Sequence, residues 1–95
     1  MKARFGIIEV PRSIASAVEN AKLAEKSGFD WFGVADSQSL FRELFVTLAM
    51  VGQATERMMI GPSVTNPLTR HPAVMASAAA SVQELSGGRA MLGIG

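Results

Sequence analysis

The sequence predicts an α/β fold of parallel β/α units, the N-terminal half of a TIM (β/α)8 barrel. Three observations lead there. Short apolar runs alternate with helical patterns in the order strand, helix, strand, helix, strand, helix, strand, which calls for parallel strands joined by crossovers. Between the first strand and the first helix stands EVPRSIAS, without the glycines that a dinucleotide-binding turn requires. A complete barrel needs about 250 residues, so the 95 present would supply roughly half of its strands.

The elements follow in order. Residues 4–10 are apolar and end at Pro11, as a strand does. Ser13 or Ser16 can cap a helix whose Ile14, Ala17, Val18, Ala21 and Ala24 share one face. Gly28 suits the left-handed position past its end. Residues 31–35 form a second strand closed by DSQS, and residues 43–54 a helix more apolar all round than the first. A third strand over residues 58–64 is interrupted by Gly61 and Pro62. Pro72 fits the first position of the next helix, where its missing N–H costs nothing. That helix, AVMASAAASVQEL, is alanine-rich and can approach its neighbours closely, and Gly87 and Gly88 stop it. Residues 89–94 read as a fourth strand. With no linker and no low-complexity segment, residues 1–95 are expected to be a single partial domain, truncated after the fourth strand.

Apolar residues make up 48% and charged residues 18%, with a formal net charge of +1. That balance suits a globular chain and lacks the basic excess that nucleic-acid backbones attract. Cysteine is absent and His71 is the one histidine, so no metal site is expected. No apolar run approaches the ~18–20 residues of a membrane span, and the N-terminal run is too short for a signal peptide. The expectation is a cytoplasmic protein acting on a small molecule, with no membrane or nucleic-acid partner.

In parallel β/α folds, ligands meet the carboxyl ends of the strands and the loops after them. Those positions hold Glu9, then Asp36, Ser37 and Gln38, then residues 63–70. Alternation puts Glu9 on a face with Phe5 and Ile7. Either it meets solvent or it crowns the barrel interior and points at substrate. Asp36 either contacts a ligand or accepts N–H bonds from its own turn. Arg42 and Glu43 read as solvated or helix-start charges, and His71 as a helix-end hydrogen-bonding group. Met50, Met58, Met59, Met75 and Met91 read as core filler.

The most specific stretch is GPSVTNPLTRHPAV, residues 61–74. Pro62 cannot pair inside a central strand, so the strand must bulge or finish there. Asn66 and His71 precede prolines and are pushed toward extended geometry. The chain should cross the mouth of the sheet stiffly.

Together with QELSGGRAMLGIG, FGIIEVPRS and FGVADSQSLFRE, this stretch resembles the bacterial luciferase-like oxidoreductase family. Its VTNPxTRHP pattern is most similar to the deazaflavin-dependent branch. The resemblance runs from Phe5 to Gly95 and corresponds to the first third of a family member. It implies a (β/α)8 barrel that holds a flavin or deazaflavin at the carboxyl ends of its strands. It further implies a bulge in the third strand, with a cis peptide bond at Ser63–Val64 behind the ring. Asp36 would lie near the ring's polar edge, and Thr65 and Asn66 would line the pocket. The implied cofactor is the deazaflavin coenzyme F420, with FMN as the alternative, and the implied reaction is hydride transfer to or from a small or pterin-like substrate. No catalytic acid or base is assigned; Asp36 and Glu9 are the candidates. Two positions depart from the family pattern: Ser37 where many relatives have His, and Ile8 where reductase relatives tend to have Glu.

Two other readings compete. One is an FMN-dependent, oxygen-using monooxygenase of the same family. The other is a non-catalytic half-barrel that acts as an assembly module. The 95-residue piece alone is expected to be inactive and to form homo-oligomers, or otherwise self-associate, through open strand edges.

Overall fold

The computed structural model describes residues 2–95. Its elements are β1 (Gly6–Glu9), α1 (Ile14–Lys26), β2 (Trp31–Val34), α2 (Leu44–Ala54), β3 (Met59–Pro62) and α3 (Pro72–Leu85). The strands are parallel and lie in the order β1-β2-β3. Gly6, Trp31 and Met59 align at one end, and Glu9, Val34 and Pro62 at the other. Right-handed crossovers between consecutive neighbours put every helix on the same face. A doubly wound sheet would instead reverse its strand order.

The core confirms that one-sided arrangement. Phe32, Val34 and Ile60 point into a cluster with Ala21, Ala24, Leu44, Leu48, Val51, Met58 and Val82. Phe32, Leu44, Leu48 and Ile60 are fully buried, and each such side chain contributes about 1.5–3 kcal/mol. The opposite face of the sheet carries Ile8, Trp31 and Met59, with no helix over it among the described residues.

Local signals explain the helix ends. The Ser13 Oγ accepts the Ser16 N–H at 3.0 Å and starts α1. At the far end Gly28 takes φ +94°, so that the Phe29 N–H reaches the Ala24 carbonyl at 3.1 Å. This is the left-handed helix ending that glycine permits. The Glu43 carboxylate caps α2 by accepting the Val46 N–H at 2.7 Å. The His71 Nδ1 accepts the Ala73 N–H at 3.0 Å in front of Pro72.

The predicted fourth strand differs. Residues 89–95 run parallel to β3 but form only two isolated bridges, Ile60 with Ala90 and Thr65 with Ile94. Five residue steps on the β3 side therefore face four on the other, which is a bulge of one residue. The ladder breaks there, and the segment does not form a continuous strand. Close approach at Gly61 permits the arrangement, because a Cβ on Gly61 would run into the Met91 backbone carbonyl.

The amino ends of the strands are held by two charged groups. The Glu25 carboxylate accepts the backbone N–H groups of Glu56, Arg57 and Met58 at 2.9, 2.7 and 3.0 Å. Arg89 donates from Nε to the Ser86 carbonyl, from Nη1 to the Thr55 hydroxyl and the Met58 carbonyl, and from Nη2 to the Gly52 and Thr55 carbonyls. It thereby ties the carboxyl ends of α2 and α3 to the start of β3. Among the described residues no helix is long and apolar enough to cross a membrane.

Burial raises the Glu25 pKa, but the three amide hydrogen bonds and the charge of Arg89 outweigh it, and the net shift is downward. A depressed carboxylate stabilises the fold above its unfolded value, and that contribution is lost as pH falls through its folded value. Thermal melting should therefore weaken with acid below the ordinary glutamate range, and Glu25→Gln should flatten that part of the profile. An unaltered acid limb in the variant would remove Glu25 from the account. At the bulge, Gly61→Ala should cost about 1–3 kcal/mol, as overpacking does, in urea unfolding. A neutral result would show that the 89–95 segment yields freely.

Candidate functional site

The carboxyl ends of β2 and β3 bring together residues far apart in sequence. Beyond Val34 the chain turns through Ala35 to Asp36, with the Ala35 N–H donating to the Glu9 carbonyl at 2.9 Å. Beyond Pro62 it enters the bulge. The Ser63 N–H donates to the Val34 carbonyl at 2.8 Å, and the Ser63–Val64 peptide bond is cis. Gly33 makes room for Ser63, since a Cβ there would lie 2.7 Å from the Ser63 Cβ.

Behind the bulge lies a polar brace. Asp36 Oδ2 accepts the Thr65 hydroxyl at 2.8 Å and Arg70 Nη1 at 2.7 Å. Nη1 also reaches the Thr65 Oγ1 at 3.3 Å, and Nη2 reaches Glu43 Oε1 at 2.6 Å. The guanidinium sits over the Phe45 ring, 5.1 Å from its centroid. Asp36 and Arg70 keep only 6% and 16% of their side-chain surface exposed, and Thr65 none. This pair is therefore shielded as surface ion pairs are not. Burial lowers the Arg70 pKa, yet hydrogen bonds and charges from Asp36 and Glu43 more than offset it, so the net shift is upward.

On the helix-free face, Trp31, Pro62, Ser63, Val64, Met91, Leu92 and Gly93 line a shallow, largely apolar depression of about 300 Å³. Val64 is half exposed there. A larger concavity of about 810 Å³ borders Lys2, Ala3, Arg4, Asp30 and Arg57 at the amino ends. Chemistry in parallel β/α folds gathers at the carboxyl ends, so the smaller hollow is the candidate site.

Of the sequence candidates, Asp36, Ser63, Val64 and Thr65 converge. Asn66 stands beside them, but its Oδ1 is used within its own turn, accepting the N–H groups of Leu68 at 2.9 Å and Thr69 at 3.1 Å. Glu9 does not reach the open face. Asn20 of α1 donates to both its carboxylate oxygens, at 3.0 and 3.3 Å, and holds it on the helix side. Alternation along β1 gives the open face to Ile8 instead. Arg70 closes the 63–70 stretch that the sequence places at the strand ends, but no pattern in the sequence assigns it a role of its own. Glu43 is a helix-start charge as expected, and it is also one of the two carboxylates that hold Arg70.

A parallel sheet in sequential order, with all helices outside and a hollow at its carboxyl ends, is part of a (β/α)8 barrel. Residues 3–95 match the family model described as luciferase-like monooxygenase, and the chain belongs to that family. It is 42% identical over 93 residues to the 5,10-methylenetetrahydromethanopterin reductase of Archaeoglobus fulgidus, covering 97% of this chain and 28% of that one. The reductase of the same name from Methanolobus tindarius is 41% identical over 92 residues, covering 96% and 28%. The solved structure of the coenzyme F420-dependent tetrahydromethanopterin reductase from Methanopyrus kandleri superposes with a TM-score of 0.94 at 32% identity. That alignment covers 99% of this chain and 27% of that one. The chain thus spans about 28% of the length of these curated relatives.

Thr65→Val keeps the shape of the brace but removes one donor to Asp36. It should cost about 1–2 kcal/mol in chemical unfolding. A loss below about 0.3 kcal/mol, set against that hydrogen-bond range, would mean that the hydroxyl adds nothing to the brace.

Proposed function

We propose that this chain forms the ring-binding N-terminal portion of a deazaflavin-dependent oxidoreductase that transfers hydride between coenzyme F420 and a small or pterin-like substrate. The observation that carries the reading is the apolar hollow at Trp31, Ser63, Val64 and Gly93, backed by the Asp36–Arg70 brace. Its shape fits one face of a planar ring: it is shallow and apolar, and backbone at Gly93 forms part of its wall. The names of the curated relatives and of the Methanopyrus kandleri structure favour the same cofactor class.

When bound, the deazaflavin supplies the hydride chemistry. This chain's residues position and shield it. Ser63 and Val64 form the wall behind the ring, Asn66 borders it, buried Thr65 holds Asp36 from behind, and Asp36 faces its polar edge. Glu9, held by Asn20, takes no part. The proposed setting is the cytoplasm. The 95 residues alone complete neither barrel nor pocket, and β1 leaves an edge unpaired beside exposed Phe5, Ile7 and Ile8. The isolated piece therefore self-associates and does not turn over.

Absorbance of the intact protein tests the cofactor. Bound deazaflavin absorbs at shorter wavelength than FMN, and titration should saturate with coenzyme F420 at micromolar concentration. Recovery of the protein with tightly held FMN would overturn the deazaflavin assignment. For the 95-residue chain, size exclusion should show species larger than a monomer with no reductase activity. A monomer that binds the coenzyme would defeat that part.

A further inference from the structure

We infer that Arg70 is a positioning residue for the ring site, and that it leaves Asp36 a single oxygen, Oδ1, with which to meet a ligand. The inference rests on the proposed function for the identity of the ligand, but on geometry for the roles of the two residues.

Both hydrogen bonds made by the Asp36 carboxylate end on Oδ2, one from Thr65 and one from Arg70. Among the described residues Oδ1 accepts none. No buried side-chain oxygen among those residues lacks a partner, so Oδ1 must reach solvent. Oδ2 is thus committed to the protein, while Oδ1, on a side chain only 6% exposed, is the acceptor left at the end of β2, suited to an N–H donor on the polar edge of a ring.

Arg70 keeps it there. Nη1 bonds to Asp36 and Nη2 to Glu43, so the planar fork spans two carboxylates on different segments. Its face covers Phe45 in the first turn of α2. The loop after β2, the start of α2 and the loop after β3 are therefore joined through one group. A lysine ammonium is a compact charge without a planar fork and cannot reproduce both directions. Rotation of Asp36 would cost the Thr65 and Arg70 bonds together, so the carboxylate is fixed before a ligand arrives.

The test compares Arg70→Lys and Arg70→Met in the intact protein, with Arg89→Lys at the amino ends as a stability control. Bound coenzyme F420 is followed by its absorption band and by fluorescence titration. Both Arg70 variants should weaken binding about tenfold or more and return the band toward its free position. Arg89→Lys should lower the melting temperature and leave the band in place. A wild-type band and affinity in Arg70→Lys would overturn the inference, because charge alone would then suffice. A band shift in Arg89→Lys equal to that in the Arg70 variants would overturn it too, by reducing the effect to general stability. If the wild-type protein binds no deazaflavin, the proposed function fails, and amide hydrogen exchange then decides the role of Arg70. Exchange at Thr65, Leu68 and Thr69 must rise in both Arg70 variants and stay protected in Arg89→Lys; unchanged exchange in the Arg70 variants refutes positioning.

Discussion

Three parallel strands in sequential order, joined by crossovers of one hand, impose a single constraint from which the rest of the molecule follows. Every helix must pack on the same face of the sheet, so that face becomes the core and the other stays free of helices. Residues facing the helices are large and sealed, as at Phe32, Val34 and Ile60. On the opposite face, Gly33 makes room for the Ser63 side chain, Gly61 lets the Met91 backbone approach, and Trp31 and Val64 border a hollow. Burial energy comes from the first face, and the second keeps an open, largely apolar hollow.

The same geometry separates two polar systems along the strand axis. At the amino ends, Glu25 accepts three amides and Arg89 satisfies carbonyls of α2, α3 and the start of β3. These groups replace partners that backbone atoms at element ends would otherwise lack, and their work is stability. At the carboxyl ends, Asp36, Thr65, Arg70 and Glu43 join loops that carry no regular ladder. The bulge between the two bridges interrupts pairing of residues 61–64 with the 89–95 segment, while β2 still pairs with Gly61 and Pro62 on the other side, and the side-chain brace adds a tie at that end.

Much of this was legible in the sequence. The strand and helix alternation, the Ser13 cap, the ending at Gly28, the placement of Pro72 and the stop at Gly87 are all set by local preferences. Those preferences act within a few residues and leave a mark in the pattern. The three strands and three helices appear where expected, with ends that shift by a residue or two. The fourth strand was less legible, because residues 89–94 have a strand's composition and only the bulge opposite them decides how far they pair. Asp36, Ser63, Val64 and Thr65 could be picked out from their positions after strands and from the family resemblance. Arg70 lay within the 63–70 stretch, but its role could not be read: an arginine in a polar loop looks solvated until its partners, 27 and 34 residues away, are in place.

By itself, then, the sequence determined the class of fold, the order of its elements and the segments that meet at the carboxyl ends, because periodicity, caps and prolines act locally. The tertiary structure decided which side of the sheet each residue serves. It placed Glu9 against Asn20 and away from the hollow, gave Asp36 its partners, and turned Arg70 into the hub between two loops and a helix. Those outcomes depend on strand register and long-range hydrogen bonds. A one-residue change in register exchanges the two faces of a strand, while the local pattern that encodes the strand stays the same.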